Sequence, residues 1–284
     1  MLLEGKSAVV YGGAGAIGGA AARAFAREGA RVFLAGRTLA KLDAVAEEIR
    51  AAGGAADTAE VDALDQREVE EHADAVAAEA GAIDVSFNVI THPHTHGTPM
   101  VEMSVEDYLA PVQVAVRTMF LTAQAAARHM PNGGAILVFG GSGDPMGDYF
   151  IGGTQVAFEA QESMRKQLSA ELGGRGVRVV TIRTGGVPAS FGDAEGYEEI
   201  VEGMHAATML GRAATLEDVG NVAAFIASDQ ARTMTAASVT SSHQRAPLRV
   251  RSGSTATPPA ISATPLTITI SRFQRAIDGG TIAW

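Results

Sequence analysis

The stretch 8-AVVYGGAGAIGGAAARAFAREGA-30 carries the decision about fold. Its first four residues form a continuous apolar run, as a strand buried on both faces requires, and its last fifteen are Ala-rich with helical periodicity and a closing glycine. Between them lies a glycine cluster. Glycine is needed at such a strand-to-helix turn when the backbone must turn tightly and approach a pyrophosphate with no Cβ in the way, while the helix N-terminus offers unpaired N–H groups. A tight βα turn alone would also use glycines, but the position after the first strand and before an Ala-rich helix favours a dinucleotide site.

The same rhythm repeats outward. RVFLAGR is followed by the helical LAKLDAVAEEIRAAG, AADTAEVDA by DQREVEEHADAVAAEAG, and IDVSFNVI by a long helix near 104–130. Next come GAILVFGG, a helix near 153–173 and VRVVTIRT. Strands alternating with helices of this length imply an α/β doubly wound Rossmann fold, with a mostly parallel sheet covered on both faces and ligands at the carboxyl ends of the strands.

Composition narrows the function classes. The chain has 284 residues, 46% of them hydrophobic, which favours one large domain with a substantial core. A formal net charge of -10 argues against nucleic acid or an anionic membrane surface as partner and favours a small-molecule substrate. With no cysteine, disulfides, thiolate metal sites and a Cys nucleophile are excluded. MLLEGKSAVVYGG reads as neither signal peptide nor membrane span, so a cytoplasmic protein is expected. Residues 240–284 differ from the rest: they carry five Arg and one Asp and are rich in Ser, Thr and Pro. They read as an atypical tail on a 1–239 dinucleotide-binding and substrate domain, either an insertion or an altered reading frame. The last strand then lies at ASVT, 237–240, or at PLTITIS, 265–271.

Gly12-x3-Ala16-Ile17-Gly18 resembles the TGxxxGxG motif of the short-chain dehydrogenase/reductase family, with Tyr11 in place of Thr and Ala16 in place of the middle Gly. Asp62 resembles the aspartate that contacts adenine, and Asn88 the first Asn of the family's NNAG. RTGGVP, 183–188, is similar to the segment lining the nicotinamide pocket. The resemblance covers about residues 4–238 and implies a cofactor site of Gly12, Gly15, Ile17, Gly18, Arg37, Asp62 and Asn88. At the end of the second strand an acidic residue would bind the ribose of NAD. Gly36 and Arg37 stand there instead and favour the 2′-phosphate of NADP.

The catalytic residues that the family would supply are missing. Thr154 stands at the Tyr position, Phe158 at the Lys position, Gly141 at the Ser position and Ala115 near the Asn position. Substitute proton donors are Ser142, Tyr149 and His94. Tyr149 has no nearby cation to lower its pKa and reads more readily as a loop aromatic for binding or dimer contact, just before the helix begins. His92, His94 and His96 alternate, but no carboxylate completes a metal shell, so no metal is expected and one His is expected to reach the pocket. The expected activity is hydride transfer to a carbonyl or from an alcohol. A cofactor-binding protein without turnover and a non-redox enzyme remain alternatives. The resemblance implies a homodimer or homotetramer through the helices near 104–130 and 153–173.

Overall fold

The first strand, β1 (Ser7–Tyr11), is buried along its whole length and faces two cores at once. Ala8 and Val10 join one apolar cluster and Val9 and Tyr11 join the other, as two-fold side-chain alternation in a covered strand demands. The computed structural model describes residues 1–241 except 94, 96, 132, 142–150 and 192–196, together with the side chains of 191, 199, 200 and 207.

Alternating with β1 along the chain are α1 (Ala16–Arg27), β2 (Arg31–Gly36), α2 (Leu39–Ala51), β3 (Ala55–Glu60), α3 (Gln66–Ala80) and β4 (Val85–Asn88). Then follow α4 (Val105–Arg128), β5 (Gly134–Gly140), α5 (Gly153–Leu172), β6 (Val177–Arg183), α6 (Tyr197–Ala207), α7 (Leu216–Ala227) and β7 (Ala237–Thr240). The seven strands form one parallel sheet in the order β3-β2-β1-β4-β5-β6-β7. The expected strands and helices are all present within a few residues of their sequence limits. Of the two candidates for a last strand, 237–240 pairs with β6, while 265–271 lies outside the described residues.

Helices α1, α2 and α7 cover one face and α3, α4 and α5 the other, so the chain reverses direction across the sheet between β3 and β4. That reversal opens a crevice beyond the carboxyl ends of β1 and β4, where Tyr11 and Asn88 stand in register. Local signals fix the helix starts: Ser104 accepts from the Asp107 amide, and Thr215 and Asp218 form a capping box. Among the described residues, no helix is long and apolar enough to cross a membrane.

Candidate active site

The turn after β1 is held by backbone approach. Gly12 has φ +87, and a Cβ there would sit 2.8 Å from the Val89 carbonyl oxygen beyond β4. A Cβ on Gly18 would lie 2.2 Å from the Gly12 carbonyl oxygen, so the first turn of α1 can press onto the loop only with glycine at 18. Gly15 is the N-cap of α1 and leaves the opening amides without a side-chain cap. Phosphate oxygens suit that cradle, since the amides converge and the dipole favours negative charge. Ile17 is turned inward and packs with Val187, Ala214 and Val219, tying the cradle to the segment after β6.

Arg37 follows β2 directly, exposed, with Gly36 before it and no carboxylate on its own strand end. Asp62, just past β3, shapes its own loop: its Oδ1 accepts the Leu64 amide at 3.0 Å and its amide donates to Glu68 Oε2 at 2.8 Å. Asn88 is buried, donating from Nδ2 to Thr122 Oγ1 at 3.1 Å and accepting the Ile90 amide on Oδ1 at 3.1 Å. Both ends of its amide are thereby spent on fixing the backbone that Gly12 touches. Tyr11, at the position where the family resemblance expects Thr, turns away from the crevice. Its hydroxyl meets His72 Nδ1 at 3.3 Å, with the rings edge to face. Burial pushes the Tyr11 phenol up and the His72 imidazole down to about 4, so both are neutral near pH 7.

At the other end of the crevice, α5 presents Thr154 and Phe158 one turn apart. Thr154 is buried, and its hydroxyl has no hydrogen-bond partner among the described residues. The Phe158 ring lies over Gly141, one residue past β5, so closely that a Cβ on Gly141 would be 2.3 Å from Cε2. A serine cannot occupy 141 while the ring stays in place. Against the same ring, edge-on at 5.5 Å between centroids and 63° between planes, lies His92 from the loop after β4. Ala115 is buried in α4. Of the expected proton donors, Ser142, Tyr149 and His94 all lie outside the described residues, as does His96. The packing of His92 on Phe158 is not signalled by the alternation of histidines along the sequence. No cluster of three metal-ligating side chains occurs among the described residues.

One turn beyond Phe158, Glu162 is buried under the site. Its Oε2 accepts from Arg165 Nη2 at 2.9 Å and Ser238 Oγ at 2.5 Å, and pairs with Arg183 Nη2 at 3.2 Å. Burial works to raise its pKa, but the hydrogen bonds from Arg165 and Ser238 outweigh that and hold the carboxyl below the ordinary range. The cluster straps α5 to the ends of β6 and β7. Over the segment that follows β6, α6 brings Met204 within 3.0 Å of where a Cβ on Gly186 would stand, closing that side of the crevice.

The chain is similar to known proteins along most of its length. The family model described as Enoyl-(Acyl carrier protein) reductase matches residues 12–242. D-threitol dehydrogenase of Mycolicibacterium smegmatis is 32% identical over 81% of this chain and 88% of its own. L-rhamnose 1-dehydrogenase (NAD(P)(+)) of Azotobacter vinelandii is 32% identical over 84% of this chain and 96% of its own. Among solved structures, a short-chain dehydrogenase/reductase from Serratia marcescens superposes with a TM-score of 0.73 at 28% identity, covering 84% of this chain and 97% of that one.

Proposed function

The chain belongs to the short-chain dehydrogenase/reductase family, and from that premise we propose that it is an NADP(H)-dependent oxidoreductase acting on a small carbonyl or alcohol. The family uses a nicotinamide cofactor, whose reduced form supplies a hydride when bound. The residues of this chain fit such a group: glycine at 12 and 18 lets the turn close against Val89 and the first turn of α1, and Gly15 leaves the opening amides of α1 uncapped for a pyrophosphate. The choice of NADP rests on Arg37. An exposed guanidinium at the end of β2 gives a 2′-phosphate a charge-assisted and geometrically matched partner, and Gly36 offers no carboxylate for an unmodified ribose. Asp62 and the Asn88-anchored backbone flank the adenine and nicotinamide ends in this reading.

Both sites fall within residues 1–239. The carbonyl would sit between Thr154, Phe158 and the loop after β4, with Ser142, Tyr149 and His94 as further candidate donors. Exposed Val105, Leu109 and Phe120 on α4 and Val156 on α5 support assembly as a homodimer or homotetramer. The decisive experiment is titration of the purified protein with NADPH and NADH, followed by 340 nm assays on a broad carbonyl panel. Tighter binding of NADPH with turnover of at least one carbonyl supports the reading. Equal or tighter binding of NADH rejects the cofactor choice.

A further inference from the structure

We propose that His92 gives and takes the proton at the substrate oxygen, in the absence of a tyrosine–lysine pair on α5. The proposal rests on the carbonyl/alcohol reading above and deepens it.

The altered end of the crevice is a matched set of side chains. The Phe158 ring occupies space that only glycine at 141 leaves open, since a Cβ there would be 2.3 Å from Cε2. A serine and this ring exclude each other, so Gly141 and Phe158 belong to one arrangement. The ring then serves as the surface on which His92 is oriented, edge-on at 5.5 Å. His92 is half-buried, and its loop continues directly from Val89, whose carbonyl touches the Gly12 turn of the cofactor cradle. The imidazole is thus held from two sides, by the phosphate turn through its own backbone and by α5 through Phe158. Both contacts lie at the carboxyl ends of adjacent central strands, where a ligand of this fold sits.

The chemistry follows from what each group can do. Phe158 carries no exchangeable proton. The Thr154 hydroxyl can hydrogen-bond an oxygen but has no acidity in the physiological range. An imidazole, with an ordinary pKa of about 6.5, acts as acid or base near neutral pH. In reduction, a bound dihydronicotinamide would supply the hydride to the carbonyl carbon, and the C=O π pair would move to oxygen. The N–H bond of the imidazolium breaks and that proton joins the oxygen. An alcohol and neutral imidazole result, and water returns the proton. In oxidation the neutral imidazole takes the alcohol proton as the hydride leaves.

The test uses the full chain with NADPH and short aliphatic and aromatic aldehydes, comparing wild type with His92→Gln and His92→Ala. Removal of a positioned general acid should lower kcat by about 10²–10⁴-fold. KM and NADPH affinity should stay within about threefold, and the unfolding midpoint should be unchanged. Added imidazole should restore His92→Ala by at least about tenfold, a rescue that loss of mere packing would not give. In the NMR spectrum, the imidazole C–H signal that disappears in His92→Gln should move when the product alcohol is added to the wild-type protein. Turnover within fivefold of wild type in both variants overturns the proposal and leaves the carbonyl reading intact. A kcat loss without imidazole rescue, together with an unmoved resonance, assigns His92 a packing role and also overturns it. A wild-type protein that binds NADPH and reduces no carbonyl overturns the functional reading itself, and the proposal with it.

Discussion

The two ends of the crevice differ in what carries them. At the phosphate end the structure depends on backbone approach, with Gly12 against Val89 and Gly18 against Gly12. At the chemical end it depends on side chains drawn from distant parts of the chain, with His92, Gly141 and Phe158 in one contact set and Glu162, Arg165, Arg183 and Ser238 in another. A site resting on backbone geometry admits almost no substitution. A site resting on side chains can be replaced as a group while the fold persists.

Each half also holds a buried polar cluster, and two of these clusters offer the strongest tests of the contrast. At the chemical end the cluster is charged. Glu162→Gln removes the buried carboxylate charge that Arg165 and Arg183 share and should cost about 3–5 kcal/mol of unfolding free energy in urea titration. A loss below about 1 kcal/mol would mean that the strap does not hold α5 to β6 and β7. Because the folded Glu162 titrates below its ordinary value, its contribution is present above the usual carboxylate range and is lost as pH falls through its depressed pKa.

At the phosphate end the cluster is neutral. His72 is lowered to about 4 from an ordinary value near 6.5, so its contribution is intact above pH 6.5 and declines as pH falls from there to 4. The total is about 3 kcal/mol, from some 2.5 pH units at about 1.36 kcal/mol each. Comparing stability at pH 7 and pH 4.5, His72→Gln should show a clearly smaller decline than wild type. Equal declines would place the acid sensitivity in the chemical half alone.

The next largest effect concerns binding. Gly18→Ala forces a Cβ onto the Gly12 carbonyl and should weaken NADPH by about 1–3 kcal/mol, in line with the cost of overpacking, read as a rise in Kd of about 5- to 150-fold by fluorescence titration. Full affinity would mean that phosphate does not rest on this turn. The smallest effect is expected at Arg37, which is exposed and screened. Arg37→Gln should reduce the preference for NADPH over NADH by roughly tenfold, while leaving NADH affinity unchanged.

The same division decides what the sequence could tell. The sheet was legible because runs such as Val9 and Val10 face opposite cores, and only a covered strand tolerates that. The cradle was legible because the need for glycine at 12 and 18 is local and steric. At the chemical end the resemblance aligns Thr154 and Phe158 with the Tyr and Lys positions of the family pattern, but it does not reveal how those two side chains pack. Spacing along the chain says nothing of a ring from α5 lying on a glycine past β5, nor of His92 meeting that ring. Glu162 and Arg165 look like surface charges of a helix until β6 and β7 bring Arg183 and Ser238 beside them. Tyr11 looks like a departure from the phosphate motif, yet its side chain serves the core through His72.

The strand order also sets a schedule for synthesis. As the chain emerges, β2 docks on β1 and β3 on β2, each beside its predecessor, and later β5, β6 and β7 extend the opposite side in the same serial way. No strand has to insert between two already paired. The exception is the free side of β1, which waits for β4 while residues 12–84 are translated. At about 5–20 residues per second, that side stays open for on the order of ten seconds. Through that interval the nascent chain carries an apolar strand edge open to pairing with another chain, the state in which a ribosome-bound chaperone has something to cover.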